Sequence, residues 1–273
     1  MFTINDIKVE LLNKEEVKNF IKNHGIFACQ CYMTPEKYAE RVGLSCLKEG
    51  HTSGSRADMF KFRIHCPRFC ADQIMRHSVG TAINCQSQRY VDMDEDFSIY
   101  VPPQVMNDEY AKLMYQEYED KCREIYSIVR VHMQENGING EKANDLMRTM
   151  LPIGVPCNLT MGFTVEALIH FMHKRLCVRA DEPIRKVAQL MEEVILEVEP
   201  RYKGMFVSQC VDLMYCPEKH SCGRYPNKEE VKRLIQLGKD YCNGCNYNKE
   251  EVERLIQLGK DYCNGCNYND NEE

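Results

Sequence analysis

Gln73-Ile-Met-Arg-His-Ser-Val-Gly-Thr-Ala-Ile-Asn-Cys-Gln-Ser-Gln-Arg-Tyr90 brings two arginines, a histidine, an asparagine and several hydroxyls into eighteen residues. Its first three residues close a helix predicted over Arg68–Met75, while 76–90, with Gly80 and many small polar side chains, reads as a loop. Arginine offers five donors in a fixed plane and grips phosphate or carboxylate with two at once; asparagine and serine can read the polar edge of a planar base. From the residues alone two readings stand open, a nucleotide pocket and an ordinary solvated polar loop.

Working outward, Met59–Cys66 alternates apolar and polar residues and reads as a strand that Pro67 ends. Glu15–Asn23 and Thr34–Glu49 read as helices, the second with Thr34 as cap and Pro35 in the first helical position. Beyond Pro102-Pro103, the spacing of Tyr110, Leu113, Met114, Cys122, Ile125, Tyr126 and Val129 predicts a long helix from Asn107 to about Glu135. Glu141–Met150 places Ala143, Leu146, Met147 and Met150 on one face and stops before Pro152. Val165–Arg175 carries the stripe Val165, Leu168, Ile169, Met172, and a last helix opened by Asp181 and Pro183 carries one from Ile184 to Val198. The sum is an α+β chain in which helices dominate.

Arg175 lies three residues beyond Met172 and so continues the apolar stripe inward. A buried guanidinium requires an anionic or strongly polar partner, either a ligand or an internal carboxylate such as Glu166 or Asp181. Arg148 falls off its helix's apolar face, which by spacing alone makes it a surface residue.

The 273 residues, 44% hydrophobic and 28% charged, suffice for one main core and an appendage. A net charge of −6 argues against broad binding to a nucleic-acid backbone but leaves room for a small anionic ligand. No run of about 18 apolar residues is present to span a bilayer, and Met1–Glu10 has no apolar signal core, so a soluble, cytoplasmic protein without a membrane partner is expected. Sixteen cysteines in such a chain imply reduced thiols or metal ligands rather than a disulfide scaffold.

Composition changes between Gly204 and Ser208, giving a main domain over 1–207 and a cysteine-rich tail over 208–273. In the tail, Lys228–Asn248 is repeated as Lys249–Asn269 with only the fifth position changed. Each copy begins after an asparagine with glutamate three residues on, a variant capping box, and Gly238 or Gly259 is placed to end the helix before a Cys-x-x-Cys pair. Two copies fall short of the roughly three units a solenoid needs, so a simple duplication is the reading. Cys210, Cys216, Cys222, Cys242 and Cys245 have the density of a zinc or iron–sulfur site, with reduced or redox-active thiols as the alternative.

Arg76-His77-Ser78 followed by Asn84-Cys85-Gln86-Ser87-Gln88-Arg89-Tyr90 resembles the signature of the flavin-dependent thymidylate synthases. That signature reads Arg-His-Arg, two residues, Ser, one residue, Asn-Glu, one residue, Ser, one residue, Arg-Tyr. Here one residue is inserted, Ser78 replaces the second arginine, and Cys85 or Gln86 replaces the glutamate; the family's acidic-Ile-Arg element reads Pro183-Ile184-Arg185. Gly50-His51-Thr52, Phe60-Lys61-Phe62, the block Arg148-Thr-Met-Leu-Pro152, and Leu168, Phe171, Arg175, Ala180, Ile184 and Ala188 are similar to the family as well, so the resemblance runs over 50–191.

The resemblance implies a synthase-like α+β fold, helix-rich with a small antiparallel sheet, and reductive methylation of dUMP to dTMP. It assigns Gln73, Gln86, Ser87, Arg89, Arg148 and Arg175 to dUMP, with Arg175 and Ser87 as the catalytic candidates. No histidine is placed to activate Ser87 as a nucleophile, which points it toward substrate binding. Arg76, His77, Ser78, Asn84 and Arg179 fall to FAD, with NADPH and methylenetetrahydrofolate as co-substrates, in a homotetramer whose sites borrow residues from several chains. The alternatives are methyl or hydroxymethyl transfer to another deoxypyrimidine nucleotide, and a non-catalytic metal-binding module on a decayed synthase core.

Overall fold

Four strands among the described residues build one antiparallel sheet: β1 (Lys8–Leu11), β2 (Met59–Pro67), β3 (Thr81–Cys85) and β4 (Pro156–Thr164), in the order β1-β2-β4-β3. The structure is a computed structural model that describes residues 1–93 and 97–242, with 238–242 as backbone only. Period-two alternation puts Phe60, Phe62, Ile64 and Cys66 of β2 and Cys157, Leu159, Met161 and Phe163 of β4 in the core, while Lys61, Arg63, Asn158 and Thr160 face outward. In the shared register Phe60 lies opposite Phe163 and Cys66 opposite Cys157.

The helices are α1 (Lys14–Val17), α2 (Phe20–Tyr32), α3 (Ala39–Lys48), α4 (Arg68–Met75), α5 (Pro103–Met106), α6 (Glu109–Glu135), α7 (Gly140–Met147), α8 (Val165–Arg175), α9 (Glu182–Val198), α10 (Gln209–Leu213) and α11 (Lys228–Cys242). Two compact units result, Met1–Leu176 with Ala180–Phe206, and Cys177–Arg179 with Val207 onward. In the first, α9 buries Ile184, Val187, Ala188, Met191 and Ile195 completely and packs on β1 and β2. Phe60 is boxed by Phe20, Tyr202 and Phe206 at ring separations of 5.2, 5.4 and 5.7 Å. A side chain at Gly25 of α2 would overlap the carbonyl of Ala39, and one at Gly43 that of Ile21, so the α2–α3 hairpin closes to backbone contact only because both lack a Cβ.

A smaller core joins Tyr126 of α6 and Met147 of α7 to Phe97, Ile99 and Val155. It is held by buried Glu119, which accepts from the amino terminus at 2.9 Å, from the Ile99 amide at 2.8 Å and from Arg123. Three donors satisfy a carboxylate that would otherwise be expensive to bury.

Several sequence expectations are corrected. The helix expected over Glu15–Asn23 is broken at Lys18–Asn19, where the Asn19 amide bonds back to Glu16 and its side chain to the Glu15 carbonyl, and the helix then runs on to Tyr32. Pro35 is not the first helical residue, because its ψ of 134° is extended; a 3-10 turn at Glu36–Tyr38 leads into α3. The stretch 76–90 is not all loop, since Gly80, at φ +70°, turns the chain back into β3. Two strands, β1 and β4, were not expected at all. Arg68–Met75 and Val165–Arg175 form as read, and α6 begins at Glu109 with Asp108 as its cap.

In the second unit, Asn227 caps α11 by accepting from the Glu230 amide at 2.9 Å, and the helix passes through Gly238 to Cys242 instead of ending there. Cys245 of the first copy and the whole second repeat lie outside the described residues.

Candidate functional site

β4 runs straight into α8: Thr164 donates its amide to Gly80 at 2.9 Å and its hydroxyl accepts from Ala167 at 3.2 Å. This junction pins the turn after α4 against α8. His77 therefore lies on α8, edge-on to Phe171 at 4.9 Å and 6.1 Å from His170. Arg175, half-buried at the last position of α8, donates Nε to His77 Nε2 at 2.9 Å. His77 must accept there, so that nitrogen carries no proton and Nδ1 is the donor in the neutral ring. Burial first, then Arg175 and His170, push His77 down to about 4, which keeps it neutral at physiological pH.

The partner of Arg175 is thus neither of the expected carboxylates. Glu166 is engaged with Arg56 at 2.6 and 3.1 Å, and Asp181 accepts from Gln73 at 3.4 Å. Burial and the nearby charge of Arg76 both press on the Arg175 guanidinium and lower its pKa. Arg76 itself is exposed, and its side chain has no hydrogen-bond or ion-pair partner among the described residues. Arg76, His77 and Arg175 are consequently gathered by the ends of α4 and α8, while Gln73 on α4 is tied to Asp181.

A second group forms where residues after β3 meet α7. Arg89 pairs with Glu141 at 2.8 Å and approaches Asp145 at 3.7 Å, and Arg148 pairs with the same Asp145 oxygen at 3.0 Å. Arg148 is about half exposed, as its position off the apolar face implied, yet it is held rather than free. Asp145 and Glu141 were not singled out from sequence; the i,i+3 spacing of Asp145 and Arg148 on one helix was the available signal.

Between the groups, Gln86 extends the β3–β4 pairing: its amide donates to Asn158, and its side-chain oxygen accepts from the Asn158 backbone and side chain, both at 3.0 Å. Ser87 Oγ accepts from the Arg89 amide at 3.3 Å, and no histidine hydrogen-bonds it among the described residues. Asn84 faces outward on β3 opposite Thr160, and Ser78 is exposed in the turn. Arg179 belongs to the second unit, where it donates to the carbonyl of His220. Cys210, Cys216 and Cys222 lie in that unit as well, and no three His, Cys, Asp or Glu residues among the described ones assemble a metal site; the side chain of Cys242, and all of Cys245, lie outside them. A cavity of about 410 Å³ opens elsewhere, at the α2–α3 hairpin, beside Tyr32, Arg41, Cys46 and His51. No described helix is long and apolar enough to cross a membrane.

Comparison with known proteins matches residues 16–201 to the family described as Thymidylate synthase complementing protein. A flavin-dependent thymidylate synthase of Nitratidesulfovibrio vulgaris is 31% identical over 190 residues, covering 68% of this chain and 77% of its own. One from Pyrococcus horikoshii is 32% identical, covering 63% and 71%. The fold is shared with the UMP/dUMP methylase PolB of Streptomyces cacaoi, solved with 5-Br UMP, at a TM-score of 0.55 and 18% identity over 74% of this chain and 96% of that one.

Proposed function

The chain belongs to the thymidylate synthase complementing protein family, and we propose that it methylates dUMP at C5 of the uracil to give dTMP, with FAD as its cofactor. The observation that carries this reading is a cationic site without a counter-ion. Arg76 and Arg175 repel one another, the only side-chain hydrogen-bond partner of Arg175 among the described residues is neutral His77, and neither arginine is paired with a carboxylate among them. Like charges held together, one of them half-buried, favour anionic partners, which a flavin phosphate at Arg76 and the charge that develops on the uracil carbonyls at Arg175 would supply.

Gln73, Arg175, Arg89, Arg148, Ser87 and Gln86 serve the nucleotide in this reading, and Arg76, His77, Ser78 and Asn84 the flavin. Arg175 spends Nε on His77 and keeps its two terminal nitrogens for the uracil carbonyls. There it stabilises the negative charge that develops as C5 attacks. His77, neutral and fixed by Arg175, presents Nδ1–H as a donor. Bound flavin supplies the redox step, NADPH recharges it, and methylenetetrahydrofolate supplies the carbon. Arg89 and Arg148 bind phosphate by exchanging or sharing their contacts with Glu141 and Asp145.

Assembly belongs to the same proposal. Tyr110, Leu113, Tyr118, Ile125, Ile128 and Val131 form an exposed apolar stripe along α6, opposite the Tyr126 face that packs inward. A stripe of that length on one helix suits a helix–helix interface between copies. A homotetramer would let the Arg175 group of one chain complete a site with the Arg89–Arg148 group of another. The test is growth of thymidine-requiring cells that carry this chain. Rescue that is lost with Arg175→Ala supports the reading, and rescue that survives the substitution removes Arg175 from it.

A further inference from the structure

A row of cysteines crosses the buried face of the sheet. Cys66 on β2 lies opposite Cys157 on β4. Cys85 on β3 lies opposite Leu159, two residues along β4 and so on the same face as Cys157. Cys70 of α4 neighbours Cys66, and Cys157 neighbours Cys85 across the diagonal, each pair of thiols close enough to perturb one another. All four are free thiols, and three are buried; Cys85 alone of the four is partly exposed.

Arg68 singles out Cys85 further. Its Nε holds Asp72 at 3.0 Å and its Nη1 donates to Cys85 Sγ at 3.5 Å. The neighbouring Cys157 thiol, followed by the Arg68 charge, holds the Cys85 thiol down at about 7 against burial and the Asp72 carboxylate. The neighbouring Cys85 thiol and burial push Cys157 far up, and the neighbouring Cys70 thiol and burial do the same to Cys66. A partly exposed thiol drawn toward its thiolate by a guanidinium, beside a buried thiol held protonated, is the arrangement of an attacking and a resolving cysteine.

We propose that Cys85 is a site of oxidative modification by hydrogen peroxide and that Cys157 is its resolving thiol. The Cys85 thiolate takes one peroxide oxygen as the O–O bond breaks, and the departing hydroxide is protonated to water, leaving a sulfenic acid. The Cys157 sulfur then displaces the hydroxyl group from that sulfur. An S–S bond forms, the S–O bond breaks, and the Cys157 proton leaves with the hydroxyl as a second water. Two thiols lose two electrons and one peroxide gains them. The new bond ties the edge strand β3 to β4 immediately before Gln86 and Ser87, so oxidation reaches the segment that carries them. The thiol chemistry of Cys85 and Cys157 is independent of the nucleotide chemistry.

The test uses the full-length reduced chain, treated with hydrogen peroxide, quenched in acid, alkylated and mapped by peptide mass spectrometry. The expected result is a cross-linked peptide pair containing Cys85 and Cys157, reversed by dithiothreitol, and dimedone trapping of Cys85 in Cys157→Ser. Alkylation of Cys85 in the untreated chain should follow a pH midpoint near 7, which Arg68→Met moves up toward the ~8.5 of a free thiol. Cys85 still open to alkylation after peroxide, Cys157 joined to Cys66, or a Cys85 midpoint already at the free-thiol value would each overturn the proposal. The wild-type map and midpoint decide it even if the variants fail to fold.

Discussion

Replacing His77 with glutamine tests the electrostatics at the centre of the candidate site. Glutamine keeps an oxygen to accept from Arg175 but does not titrate. In the folded chain His77 is held at about 4 instead of its ordinary 6.5. Between those values the unfolded chain binds a proton that the folded chain refuses. The stability this residue confers is therefore complete above pH 6.5 and is lost as pH falls toward 4, at about 1.4 kcal/mol per pH unit. From pH 7.5 to pH 5.0 the loss amounts to roughly 2 kcal/mol, or about 1–2 kcal/mol once partial solvent screening is allowed for. Urea unfolding of the flavin-free protein at both pH values, at one protein concentration, reads it directly. Wild type should lose about 1–2 kcal/mol more than His77→Gln on acidification. His24, whose pKa burial also lowers, is common to both proteins and cancels. Equal losses in the two proteins, or an His77 ring signal that titrates at pH 6 or above, would refute the reasoning.

Three further substitutions probe the frame around that site. The hydroxyl of Tyr202 is buried without a hydrogen-bond partner among the described residues, so Tyr202→Phe should stabilise the protein by about 1 kcal/mol and raise Tm. Gly80→Val should cost on the order of 2 kcal/mol or more: φ is +70°, and an added Cβ would lie 2.9 Å from Thr164 Oγ1 and 3.1 Å from Ala167 Cβ. It should also weaken flavin binding, read as lost absorbance of the purified protein, because it displaces the turn that seats His77. Phe163→Ala, which empties a fully buried position against Phe62 and Phe171, should cost about 3–5 kcal/mol in denaturant unfolding.

The helices at Arg68–Met75 and Val165–Arg175 were legible to the residue because Pro67 and Thr164 mark their starts and the apolar spacing is uninterrupted. The strand β4 was legible in principle, since Cys157, Leu159, Met161 and Phe163 alternate, but polar and small neighbours, with Gly162 among them, masked it. β1 is four residues long, too short for periodicity to speak. That Arg175 points inward followed from its place on the stripe. Its partner did not, because His77 is 98 residues away in sequence and reaches it only through the β4–α8 junction. Nor could spacing reveal that Arg148 shares Asp145 with Arg89, a residue from beyond another strand. The tail repeat was plain as a repeat, while Gly238 failed as a stop because a glycine ends a helix only where the chain turns into a left-handed conformation, and α11 continues through it.

The most direct test of the account is turnover by the purified chain supplied with FAD, NADPH, methylenetetrahydrofolate and dUMP labelled at C5 with tritium. The account predicts dTMP formed in step with tritium released to water, with both abolished when Arg175 is replaced by alanine. A folded chain that forms no dTMP and retains neither FAD nor dUMP would contradict it.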